Sequence, residues 1–226
     1  MLPPDELISY YTDACSESNR LETGIGILER IRTRDILQRY LSAPPAVICD
    51  IGGGTGSHAF WLAGLGYDVH LLDVVPVHIE HARKAIRGSG IPRLASIEVG
   101  DARQLSYSDT SADAMLLFGP LYHLTERDER ALALAEAWRV LRPGGTLLAA
   151  GISCYASTIV GLVSGDIWNV DYLAMATQEL TTHKHIKPEA LHVFTTAHFH
   201  HPDELRAELE DAGFDVEATL GIQGPG

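Results

Sequence analysis

Cysteine is scarce in this chain of 226 residues. There are three, Cys15, Cys49 and Cys154, widely spaced and with no C-x-x-C pair. That pattern argues against both a disulfide framework and a zinc–thiolate site. Positive charge is also short: 17 Lys and Arg against 30 Asp and Glu give a formal net charge of −13. A polyanionic partner needs a basic stripe, and none is visible. The densest basic stretch, residues 30–39, holds four arginines among which stands Asp35, with Glu29 just before it; it reads as a solvated helix face. No apolar run approaches the ~20 residues of a membrane span. The opening Met-Leu-Pro-Pro-Asp-Glu has neither the basic nor the apolar part of a signal peptide. There is no internal repeat and no low-complexity tract. These absences predict a cytoplasmic protein, monomeric or homodimeric, that binds neither nucleic acid nor membrane.

What is present is a globular composition, 46% hydrophobic, and a length suited to one domain with an insertion. The most informative stretch is Val47-Ile48-Cys49-Asp50-Ile51-Gly52-Gly53-Gly54-Thr55-Gly56, followed by an acid, Asp73, at the end of the next apolar run. A strand feeding a glycine-rich turn, with an acid about twenty residues on, is an adenine-nucleoside site. The glycines admit backbone close to the ligand, and the acid accepts from ribose hydroxyls. A dinucleotide fingerprint, G-x-G-x-x-G or Ala in the last place, is not matched, because its sixth position counted from Gly52 is Ser57. Strand alternates with helix from residue 46 to 152, which predicts a doubly wound, mostly parallel Rossmann-like α/β sheet.

The run Asp50-x-Gly52-x-Gly54-x-Gly56 resembles the first motif of the class I S-adenosylmethionine-dependent methyltransferases. Three further segments fit that family in order and spacing: Gly100-Asp101-Ala102; Ala112 to Phe118 as a fourth strand; and Glu136 to Leu148 as helix, Arg142-Pro143-Gly144-Gly145 turn and fifth strand. The resemblance implies S-adenosylmethionine as cofactor and S-adenosylhomocysteine as product. It implies a cofactor cradle of Asp50, Gly52, Gly53, Gly54 and Gly56, and Asp73 with Val74 at the ribose. Asp101 would meet the adenine amino group, Ala102 would offer its amide to a ring nitrogen, and Phe118 and Gly119 would lie near the methyl. The family usually adds a seventh strand beside the sixth, and no segment of this chain carries it. Two alternatives share the fold: a nicotinamide-dependent oxidoreductase, against which Ser57 and Asp101 argue, and a binder of the same cofactor that catalyses something other than methyl transfer.

Around this core, residues 1–43 form a helical cap and 44–226 the catalytic domain, with 153–200 a substrate-facing insertion. Helices are predicted over 5–19 and 22–42, with Leu21, Ile25, Leu28, Ile31, Ile36, Leu37 and Leu41 as one apolar stripe. The cap offers Tyr11 and Arg32 to the cofactor, the arginine to the methionine carboxylate. Thr125 is predicted to cap a helix to Leu141. Residues 193–197 read as an extra strand and 214–220 as the sixth.

Methyl transfer from a sulfonium needs alignment and, at most, a base. Tyr122 and His123 are the candidates for acceptor contact and catalysis; His123 has the chemistry of a base near neutrality, and equally that of a packing residue at a helix start. Six histidines, His183, His185, His192, His198, His200 and His201, crowd a short late stretch. None forms a metal-binding pair at helical spacing, so no metal is expected. Asp166 and Asp171 are candidates to orient an amine or to cap helices. The acceptor is expected to be a small molecule attacked through O, N or C.

Overall fold

The structure, a computed structural model, describes residues 5–14, 20–88, 90, 92–191 and 193–223. Cys15 and His192 lie outside the described residues.

The chain begins with α1, Asp5–Ser9, continued by a wide turn, Tyr10–Ala14, and then α2, Gly26–Tyr40. The domain follows as β1 (Val47–Ile51), α3 (Ser57–Gly64), β2 (Asp68–Asp73), α4 (Pro76–Ala85), β3 (Ser96–Val99), β4 (Ala112–Leu117), α5 (Pro120–His123), α6 (Arg127–Val140) and β5 (Leu141–Ala149). These five strands are parallel and ordered β3-β2-β1-β4-β5. The reversal of strand order falls between β1 and β4, where an open α/β sheet binds ligand. The glycine turn in residues 142–145 is taken up inside β5 as a register shift against β4.

The pleat divides the core in two. Cys49 and Ile51 face Ala133, Leu134 and Ala137 of α6. Ile48, Val69 and Leu71 face Leu37 of α2, Leu62 of α3 and Ile79 of α4. Alternate residues of one strand thus feed opposite layers, and near-continuous apolar strands are the consequence of burial on both faces.

The insertion contains β6 (Ile152–Ser153), α7 (Ala156–Ser164), a short 3₁₀ turn at Asp166–Trp168, α8 (Val170–Thr182), β7 (Lys184–His185) and β8 (Ala197–His200). The three strands form their own small sheet in the order β6-β8-β7. Helix α9, Pro202–Asp211, completes the order, with His201 and Glu204 as a reciprocal cap at its start.

Four expectations are corrected. The apolar stripe of α2 is only half buried: Leu37 is enclosed, whereas Ile25, Leu28 and Ile31 are 68, 48 and 57% exposed. Only the C-terminal half of that helix, through Leu37 and Leu41, meets the sheet cluster. Thr125 does not cap; the Thr125 and Leu124 carbonyls accept from Arg130, and α6 starts at Arg127. The extra strand lies at 197–200 rather than 193–197. Upstream, the Phe194 carbonyl faces His185 Nε2 and the Thr196 N–H donates to Glu6, so that backbone is engaged by side chains. Residues 214–220 are not a strand. No strand among the described residues stands beside them, and the Val216 carbonyl accepts from Arg206 instead.

Candidate active site

The loop after β1 needs glycine for two separate reasons. Gly52 has φ +72° and Gly56, the residue before α3, φ +89°, backbone that side chains rarely adopt. A Cβ on Gly52 would also stand 2.6 Å from Pro120 Cδ, and one on Gly53 2.6 Å from the Asp50 carboxyl. Gly119 packs on the same turn, its Cβ position 3.1 Å from the Gly52 carbonyl. The segment 118–123 is thereby drawn against the glycine loop.

Asp50 is enclosed in β1, with one carboxylate oxygen lacking a partner among the described residues. Burial, and then the charge of Asp73, push its carboxyl up to about 7. Asp73 ends β2 and organises the loop. Its Oδ2 accepts from the Gly54 N–H at 2.8 Å, and its Oδ1 from the Val75 N–H at 2.8 Å. Nδ1 of His78, in the first turn of α4, stands 3.1 Å from the same Oδ1. Counting two lone pairs per oxygen, Oδ2 keeps one open direction for a hydroxyl donor.

His78 was missed in the sequence. It is buried, and its Nε2 has no partner among the described residues. The signal was its position: a polar residue in the first turn of the helix that follows Asp73 points at the edge where an open α/β sheet binds ligand.

Asp101 is brought to that edge but is engaged by Arg103, whose Nε and guanidinium NH2 donate to it at 2.6–3.2 Å. Burial works against its ionisation, yet those bonds hold the carboxyl below the usual carboxylate range. Ala102 beside it is buried, and Val74 follows Asp73 directly at the start of the turn into α4.

Beside the glycine loop, five rings from four segments meet. The Tyr11 ring lies 5.5 Å from His123 and 5.1 Å from His78; Tyr122 is 4.7 Å from His123; Phe194 stacks on His123 at 5.5 Å. The Tyr11 hydroxyl is 2.9 Å from His123 Nε2. Burial pushes the His123 imidazole down to about 4, partly offset by Asp73. The ring is therefore neutral across the physiological range, not titrating near neutrality as the bare residue suggests. Phe118 stands edge-on to His58, at 6.0 Å.

Arg32 is not brought to this site. It is exposed and donates to the Gly221 carbonyl at 2.8 Å. Arg34 is the cap arginine at the loop, donating to the Ser57 carbonyl at 3.3 Å and lying over Trp61. In the insertion Asp166 pairs with Ser164 and Asn169, rather than Asp171, caps α8. Of the late histidines, His198 and His200 share one face of β8, their rings 4.5 Å apart, and His185 bonds buried Glu179. His183 and His198 both meet Glu204.

A parallel sheet of this order, with a glycine turn after β1 and a buried acid ending β2, defines a nucleoside-binding α/β domain. Residues 48–145 match the family model of a methyltransferase domain. The chain is 33% identical over 144 residues to methyltransferase GfsG of Streptomyces halstedii, covering 63% of this chain and 49% of that protein. It is 33% identical over 120 residues to the ubiquinone/menaquinone biosynthesis C-methyltransferase UbiE of Zymomonas mobilis, covering 53 and 48%. A solved S-adenosylmethionine-dependent methyltransferase of Methanosarcina mazei superposes with a TM-score of 0.66 at 25% identity, covering 81% of this chain and 85% of that one. Residues 48–145 thus match a methyltransferase domain, and the fold is similar to that of a solved S-adenosylmethionine-dependent methyltransferase. The chain spans about half the length of the curated relatives it matches. Among the described residues no helix is long and apolar enough to cross a membrane.

The family's cofactor fits the residues present. Asp73 has an open acceptor direction, His78 Nε2 and His123 Nδ1 are buried polar atoms without partners among the described residues, and four of the five loop residues, Gly52, Gly53, Gly54 and Gly56, carry no side chain.

Proposed function

We propose that this chain methylates a small-molecule acceptor with S-adenosylmethionine. The observation that carries the reading is the joint placement of the ribose acid and the neutral imidazole. Asp73 is tied to the glycine loop through Gly54, and His123 is held beside the same edge by Gly119 packing on Gly52. The cofactor, when bound, supplies a methyl group already activated on a cationic sulfur. Asp73 and the loop backbone hold the nucleoside portion, and Asp50 stiffens the turn from beneath. The rings of Tyr11, Tyr122 and Phe194 orient a flat or partly apolar acceptor and exclude water. Neutral His123 takes the acceptor's proton. A weak base suffices, because a nucleophile that has begun to bond carbon becomes strongly acidic.

The net charge of −13 supports a neutral or cationic small acceptor over a nucleic acid. A monomer or homodimer is the assembly this reading carries, since the site is built from one chain. The test is label transfer. The protein is incubated with methyl-tritiated S-adenosylmethionine and a panel of phenols, quinols and amines, and products are identified by mass. Methylated product from at least one class is expected. Binding of the cofactor with its methyl label retained, and no S-adenosylhomocysteine formed with any acceptor, would instead favour a non-transferase use of the cofactor.

A further inference from the structure

We propose that His183, His198 and Glu204 form a binding site for one divalent transition-metal ion of the zinc or ferrous class, which pins the insertion to the domain. The proposal does not rest on the methyltransferase reading.

The donor atoms lie within 4.8 Å of one another. His183 Nδ1 is 2.7 Å from one Glu204 oxygen and His198 Nε2 3.0 Å from the other. Ligand atoms on a tetrahedral ion with bonds of ~2.0–2.1 Å sit ~3.3 Å apart, so closure needs the donor atoms, now within 4.8 Å of one another, to draw in by at most about 1.5 Å. The three residues come from three elements: the end of α8, strand β8 and the first turn of α9. That origin is why helical spacing in the sequence could not reveal them.

Two further observations point the same way. His183 is one of two non-glycine residues with positive φ among the described residues, at +57°. This is the left-handed cap that ends α8, and it leaves the imidazole 2.7 Å from Glu204. His198 is buried and its Nδ1 has no partner among the described residues, so that nitrogen can carry the ring proton while Nε2 ligates an ion. The guanidinium of Arg130 lies 3.8 Å from Glu204, but its charge is matched by Glu208 at 2.6 Å. Two imidazoles and one carboxylate suit zinc, iron or cobalt; magnesium and calcium prefer oxygen alone.

Such an ion has a mechanical role. The insertion joins the domain through strands of only two to four residues, and crosslinking α8, β8 and α9 would fix the wall that carries Phe194 to His123. The competing account of the same contacts is an ion-free carboxylate accepting from two imidazole N–H groups.

The experiment strips the full chain with chelator and titrates it with Co²⁺, then Zn²⁺, following visible absorption, with Mg²⁺ as control. Melting temperature is read in parallel. The variants are His183→Gly, which suits left-handed backbone, and Glu204→Gln. One equivalent of Co²⁺ with visible bands, displaced by Zn²⁺, is expected, together with a rise in melting temperature with Zn²⁺ and none with Mg²⁺. His183→Gly should melt like the wild type without metal and bind at least a hundredfold more weakly. If Glu204→Gln fails to fold because it also caps α9, His183→Gly decides alone. No Zn²⁺ binding by the wild type, or equal binding by His183→Gly, overturns the proposal and leaves the hydrogen-bonded account.

Discussion

The Tyr11 hydroxyl stands 2.9 Å from Nε2 of His123, joining residues 112 positions apart. It ties the N-terminal segment to α5 across the mouth of the candidate site. Tyr11→Phe removes this bond and keeps the ring contacts to His78 and His123. Turnover in the label-transfer assay should fall about ten- to hundredfold, with affinity for S-adenosylhomocysteine within about threefold of wild type. Equal loss of affinity and rate would make Tyr11 a cofactor contact instead.

His123 gives a pH signature. Because burial holds it near 4, a base role predicts a rate that is flat from about pH 6 upward and falls as pH drops through about 4. His123→Asn should lower turnover by roughly a hundredfold and remove that fall. A full-rate Asn variant would assign His123 to packing and leave proximity as the mechanism.

Asp50 links pH to stability. Its folded pKa of about 7 lies above the usual carboxyl value of 3.8, so the folded state binds the proton more tightly. That contribution is complete below the unfolded value and is lost as pH rises from about 4 to about 7. His123 and His198, both depressed, act oppositely in an overlapping window. The comparison to make is therefore wild type against Asp50→Asn. Melting temperature of the wild type should decline relative to the variant across that range; parallel curves would show that Asp50 does not titrate there.

Arg130 and Glu208 are a buried pair, with guanidinium–carboxylate bonds of 2.6 and 2.8 Å. Burial opposes the Glu208 charge, but Arg130 and His200 hold its carboxyl down at about 2. The depressed value means its stabilisation is present above pH ~4.5 and lost as pH falls to about 2. Glu208→Gln should cost about 3 kcal/mol, since it leaves the buried Arg130 guanidinium with only the longer 3.8 Å contact to the Glu204 carboxylate. Denaturant unfolding at pH 7 checks this, and a loss under 1 kcal/mol would contradict it.

Much of this was legible in the sequence. The glycine loop, Asp50 and Asp73 occupy the places expected, because strand, turn and acid are local patterns with local causes. The parallel sheet of β1 to β5 followed from alternating elements, and the sixth strand expected at 214–220 did not form. Several misses depend on partners distant in the chain: Arg32 faces Gly221 rather than the loop, and the backbone at Thr196 is held by Glu6. Others are local side-chain competition, Arg103 with Asp101 and Arg130 with the Thr125 carbonyl, which spacing alone does not show. His78 and the His183–His198–Glu204 group come together only through tertiary packing, so no spacing rule could announce them.

The account stands on a nucleoside site at Asp73, and the most direct measurement is calorimetric titration with S-adenosylhomocysteine, run beside NADH. One equivalent of S-adenosylhomocysteine should bind, raising the melting temperature by mass action. Asp73→Asn should weaken it about ten- to hundredfold, as expected for loss of a charged acceptor worth roughly 1.5–3 kcal/mol. Binding of NADH with no response to S-adenosylhomocysteine, or undiminished affinity in Asp73→Asn, would contradict the account.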